Sequence, residues 1–357
     1  MLSFLRPVND GCSISGEALC AADGSLPESA RFARVVLRPN NFTLTLSPVI
    51  DLKTGQRAAE TDALVVTLRL AVDQLNASRS TAIRLGDAGY SIEVGLADGG
   101  LWFGRSVSQN GVPVGLSWKP DGPVKMEQLL LRMMDAQRIA GTMDAIADAG
   151  SPLSPSPVDV SVDIRSSDVA MLEQRSGRVP PRRECGRVQR RNAYDDPRSL
   201  ENQSLLKQCD MLRPAAQAVE EGQFDVNSIH IDSQFCARTV HTRVDGSRSQ
   251  VALGSPMIVC SDCPGGRSTG NERLYVLKTK AADNADQLDL SQSLNTCSEV
   301  SRTRSAQGNA LQNLIRAVGR RPGTRGAFGG MAPGEVWVRR FEWNVIPRDR
   351  ALELAGK

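Results

Sequence analysis

The residues of this chain best able to carry covalent or metal chemistry are its 8 cysteines and its 2 histidines, His230 and His241. Cys260 and Cys263 form a CxxC, a spacing that can hold half a zinc site or act as a redox dithiol. Zinc needs four ligands. There is no second CxxC and no HxxxH, so the others would have to come from distant Cys236 or His241. A redox dithiol works best where a helix begins, because the dipole there lowers the thiol pKa. Here Pro264, Gly265 and Gly266 follow and start a turn instead. The plain reading is a structural turn, with a local disulfide as one form of it. Metal binding by Cys260 and Cys263, and dithiol chemistry, stay open as alternatives.

A cysteine nucleophile needs a base, normally a neighbouring histidine. His241 and Cys263 are the pair that fits, although His241 lies inside an alternating strand with Thr242 and Arg243 behind it. No GxSxG, GxxxxGK[ST], HExxH, EF-hand loop or strand-to-helix GxGxxG is present. Adjacent carboxylates, Asp195 with Asp196 and Glu220 with Glu221, fall in polar segments and read as solvated surface. A run of arginines from Arg175 to Arg191, including Arg182, Arg183, Arg190 and Arg191, could contact phosphates. Base-stacking aromatics are missing beside it except for Tyr194, so an exposed linker is the favoured reading.

The elements that must position these groups belong to a chain of 357 residues, long enough for two or three domains at about 150 residues each. Lys and Arg number 43 against 40 Asp and Glu, so a net charge of +3 gives no global pull toward nucleic acid or membrane. No run approaches ~18 apolar residues, which excludes a spanning helix. The start lacks the charged-then-apolar pattern of a secretory signal. A true start at Met1 implies the cytoplasm; a piece of a longer precursor implies periplasm or secretion. The cysteines are too sparse for a disulfide scaffold, so buried free thiols are expected, with one or two disulfides as the next reading.

Residues 1–30 read as a linker or N-terminal arm. Apolar periods then predict strands at 35–37 and 42–46, and a helix from Thr61 or Asp62 with Leu64, Leu68, Ala71 and Leu75 on one face. A hairpin follows, 91–96 turned by Asp98, Gly99 and Gly100 into 101–103. A second helix over 125–148 carries Met126, Leu129, Leu130, Met133, Ala140, Met143 and Ile146 three and four apart. Its methionines suit core packing, with an adaptable binding face as the alternative. Three prolines at 152–157 end that segment, and 158–164 alternates as a strand. Strand-like runs at 226–231, 237–244, 256–260, 273–279 and 335–346, with one helix at 310–318, argue for a sandwich. The expected fold is thus α+β: an α+β domain at 31–165, an Arg-rich linker at 166–204 and an antiparallel β-sandwich at 205–350.

The runs VNSIHIDSQFC, LGSPMIVCSDCPGGRSTGNERLYVLKTKA and EVWVRRFEWNVIPR resemble the β-rich region downstream of the peptidase domain in bacterial caspase-like proteins. GLADGGLWFGRS, the helix at 125–148 and VDVSVDI are similar to the segment just after that domain. The resemblance covers roughly residues 60–346. It implies an immunoglobulin-like sandwich and the non-catalytic C-terminal portion of such a protein. The family's His-Gly strand end has no counterpart before residue 60. Asp262-Cys263 imitates its Asp-x-Cys end only loosely, and His241 lacks the following glycine, so no catalytic residue carries over. The favoured expectation is a non-enzymatic accessory or protein-recognition module. Its partner is a protein, with a separately supplied caspase-like peptidase domain as the candidate, and no cofactor is expected. The alternatives are a cysteine peptidase or other Cys-dependent enzyme using Cys263 with His241, and nucleic-acid binding through 175–191.

Overall fold

The computed structural model describes residues 43–78, 82–109, 112–149, 155–166, 196–200, 204–207, 209–246, 249–259, 269–281, 289–291, 294 and 336–346. The linker at 1–30, the arginine run, the CxxC and the helix expected at 310–318 lie outside these residues. The chain divides into two units, Met1–Arg38 and Pro39–Lys357, and all described residues belong to the second.

That unit begins with β1 (Thr43–Asp51), α1 (Ala63–Ser78), β2 (Ala82–Leu85), β3 (Ile92–Ala97) and β4 (Gly100–Gly104). The short pair β5 (Ser108–Gln109) and β6 (Val112–Pro113) follows, then β7 (Leu116–Trp118) and α2 (Met126–Ala149). Asp62 caps α1, its Oδ1 accepting the Leu64 N–H at 2.8 Å, as the sequence predicts. Val65, Leu68, Ala71, Val72 and Leu75 recur three and four apart and form its buried face. Asn76 then fixes the start of β2, giving its amide to Ile83 O at 2.9 Å and taking the Ile83 N–H at 3.0 Å. The expected hairpin is β3–β4. Asp98 and Gly99 both have positive φ, 52° and 69°, the conformation a two-residue hairpin turn requires.

These strands form a mixed sheet in the order β2-β1-β3-β4-β7, with β1 parallel to β2 and β3. α1 and α2 pack against it through one core that includes Leu44, Leu46, Ile92, Leu101 and Phe103. The same core continues past α2 to Ile229, Ile231, Ala237, Tyr275 and Leu277. These residues come from a second sheet. It is built from β10 (Ser204–Lys207), β12 (Gln223–Ile231), β13 (Ala237–Asp245), β16 (Gly270–Lys280) and β17 (Val336–Ile346), in the order β10-β17-β16-β12-β13. α2 is therefore covered on two sides. This explains why Leu131, Ala136 and Ile139 are buried beside the expected stripe.

A third sheet covers the opposite face of the second. It contains β8 (Val158–Arg165), β9 (Arg198–Ser199), β11 (Met211–Ala218) and β14 (Val251–Ala252) in the order β14-β11-β8-β9, with β15 (Met257–Ile258) also paired to β11. β8 pairs antiparallel with β11 from Val158↔Ala218 to Arg165↔Met211. By its hydrogen bonds, β8 thus belongs with the later strands. The two sheets share a core of Val158, Val160, Val162, Phe224, Val226, Leu274, Val276, Phe341 and Trp343. The fold is a β-rich α+β arrangement.

Candidate functional site

The second sheet holds both histidines. Alternation along β12 sends Phe224 and Val226 toward the third sheet, and Ile229 and Ile231 toward α2. His230 shares the first face, where its ring stacks on Trp343 with centroids 5.6 Å apart and planes 14° apart. His241, opposite Asn227 on β13, shares the second face with Asp225.

His241 Nε2 lies 3.0 Å from Asp225 Oδ1, and Arg243 Nε is 3.5 Å from the same oxygen. Asp225 is 3% exposed, so its charge is matched inside the sheet by two neighbours on β13. Below it, Asn227 Oδ1 accepts the Leu290 N–H at 3.0 Å. An oriented Asp–His pair is two-thirds of a nucleophilic triad. Among the described residues, no nucleophile hydrogen-bonds to the remaining nitrogen of His241. The other half of the expected pair, Cys263, lies outside the described residues, as does Cys260. The pairing of His241 with Cys263 therefore rests on sequence alone.

His230 sits in a richer environment. Its Nε2 is 3.1 Å from Glu272 Oε2, which also accepts the Trp343 indole N–H at 3.1 Å. Register explains the convergence: Glu272 faces Trp343 directly across β16–β17, and His230 is diagonal to it across β12–β16. Just beyond β12, Asp232 Oδ1 accepts the N–H groups of Gln234 and Cys236, both at 2.9 Å. Burial lowers the His230 pKa, but the Glu272 hydrogen bond and the charges of Glu272 and Asp232 outweigh it, and the net shift is upward. Burial raises the Asp232 pKa as well, with Glu272 adding to it.

At the far end of the same face, Lys278 is 4% exposed and its Nζ donates to Ser156 Oγ at 2.7 Å and Val158 O at 3.1 Å. Burial first, then the Arg339 charge, lower its pKa to about 8. A serine beside a lysine of low pKa is also the layout of a Ser–Lys nucleophile. Here the Ser156 hydroxyl donates to Val158 O at 2.7 Å, so its proton is turned to the backbone and away from the amine. The arrangement closes the end of the core.

Among the described residues, no group of three or more His, Cys, Asp or Glu is placed to hold a metal. A small cleft between α1 and the ends of β1 and β2 is lined by Val49, Ala58, Leu68 and Leu85 together with Arg57 and Arg69. Glu60 and Asp87 already pair with those arginines at 2.9–3.6 Å. Cys209 and Cys236 are disulfide-bonded, which corrects the expectation of free thiols at these two positions.

Glu272, Asp232 and Lys278 were not singled out from the sequence, and His230 was named only as one of the two histidines. The available signal was a charge standing at an inward position of an apolar alternation, as with Glu272 and Lys278 in NERLYVLKTK. Compared with known proteins, the chain matches no family model and no curated protein.

Proposed function

We propose that the chain is a non-enzymatic protein-recognition module that takes an extended segment of its partner along β13 from Val240 to Val244. The observation that carries this reading is that, among the described residues, β13, nine residues long, ends its sheet with β12 as its ladder neighbour. A terminal strand offers a template to another chain, and β-strand addition is a common mode of peptide recognition. Val240, in the middle of that strand, is 42% exposed and supplies an apolar contact beside it. Both histidines are held by buried carboxylates within the sheet, a use that fits a scaffold.

The two sheets around the Phe224–Trp343 core read as an immunoglobulin-like sandwich, in keeping with the resemblance to the region downstream of caspase-like peptidase domains. That resemblance makes a peptidase domain of this kind the partner to test. Two disulfide-bonded cysteines favour an oxidising compartment. Calorimetric titration of the full chain with a purified caspase-like peptidase domain tests the reading. Saturable binding that Val240→Lys weakens about tenfold, or ~1.4 kcal/mol, is expected. Binding indifferent to Val240→Lys, or none, refutes it.

A further inference from the structure

The cluster at the β12–β13 turn joins three ionisable groups in one place. His230 on β12 is 19% exposed in its side chain and Glu272 on β16 is 5% exposed. Asp232 opens the turn to β13 and holds it through the Gln234 and Cys236 amides. The turn is tight: Phe235 has φ 60°, its N–H donates to Asp232 O at 3.0 Å, and Cys236 carries a disulfide. Trp343 on β17 stacks on the imidazole and donates to the same Glu272 oxygen that His230 meets.

We propose that His230, Glu272 and Asp232 form a pH-operated clasp that holds the β12–β13 turn against β16 and β17 when His230 is protonated and loosens it when His230 is neutral. The imidazole meets the Glu272 carboxylate directly and feels the Asp232 charge, and when its proton is lost the repulsion between these two carboxylates is no longer offset. Among the charges that reach the cluster, Arg238 on β13 opposes protonation of His230. Arg132 on α2 acts on Asp232.

The linkage runs one way. A histidine whose folded pKa is raised contributes fully below its unfolded value of ~6.5, and the contribution is lost as pH climbs through the folded value. Asp232, also raised, acts with the same sign: its protonated form favours the fold, so ionising it costs stability. Both groups make the clasp tight at low pH and loose at high pH. β13, whose N-terminal end the clasp anchors, is the strand proposed above as the docking edge, but the clasp stands on its own contacts and does not depend on that reading.

With only two histidines, the imidazole resonances of the full chain can be assigned by one variant, His241→Gln. Proton NMR should then show His230 titrating with a midpoint above ~6.5. Protection of the 231–236 amides, taken as exchange relative to the unfolded-chain rate at the same pH, should fall several-fold across that midpoint. His230→Gln keeps a neutral polar side chain and should fold, with the fall in protection at 231–236 across the His230 midpoint gone. A midpoint at or below ~6.5, or the same fall in protection at 231–236 in His230→Gln, overturns the clasp. Binding of any partner is not a readout here, so failure of the clasp and failure of the docking edge are separable.

Discussion

Replacing Lys278 by methionine should stabilise the protein at neutral pH. Lys278 is 4% exposed, and its pKa is lowered from 10.5 to about 8, chiefly by burial. A shift of that size corresponds to about 3 kcal/mol. The unfolded chain holds this proton until the ordinary lysine range, while the folded chain releases it near pH 8. Stability therefore rises as pH climbs from about 8 to 10.5, and below that window the fold carries the whole cost of burying the charge. Lys278→Met removes this cost. It also removes two hydrogen bonds to the ammonium, of which Ser156 Oγ and Val158 O are the acceptors. Those acceptors keep each other through the 2.7 Å Ser156–Val158 bond, so the loss is about 1–2 kcal/mol. Desolvation wins by about 1 kcal/mol, with the methionine stem keeping most of the packing. Urea unfolding at about pH 7 and pH 9.5, with equal m-values as the check on two-state behaviour, measures both effects. Between the two pH values the wild type should gain stability relative to the variant. A variant less stable than wild type by more than about 1 kcal/mol at pH 7, or a wild type with no alkaline gain relative to the variant, refutes the reasoning.

Met133 is fully buried in the core that runs from the first sheet across α2 to the second. Met133→Ala should cost about 2–5 kcal/mol, with amide exchange accelerating in both β1 and β17. Acceleration confined to one sheet would show that α2 does not couple them. Complete reduction of the chain should lower the thermal midpoint, the removal of a native disulfide costing about 2–5 kcal/mol in small domains. An unchanged midpoint would contradict the bonded state of Cys209 and Cys236.

Local features were legible from the sequence. The Asp62 cap, the Asp98–Gly99 turn and the three-and-four spacing of α2 each depend on neighbours within a few residues, and each stands where it was expected. What stayed hidden depends on partners far along the chain. β8 alternates cleanly, but its mate β11 follows after the arginine-rich stretch, and nothing local names that mate. β12 is buried on both faces from Phe224 to Ile229, so its period could not say which side His230 takes. The His230 cluster is assembled by register across three strands, since Glu272 and Trp343 lie 42 and 113 positions beyond His230 in the chain. Two glycines show the same limit. Gly115 has φ +103°, and an added Cβ there would lie 2.3 Å from Phe103 O; its N–H donates to Thr269 O at 2.6 Å beside Gly270. That tie between the first sheet and the start of β16 leaves no mark in the sequence beyond two glycines.

Hydrogen exchange mapped residue by residue during titration with a caspase-like peptidase domain tests the recognition account most directly. The account predicts slowed exchange concentrated in the outer strand from Val240 to Val244, saturating with the partner and lost in Val240→Lys. Saturable binding that leaves β13 exchange unchanged, or no binding at all, would contradict it.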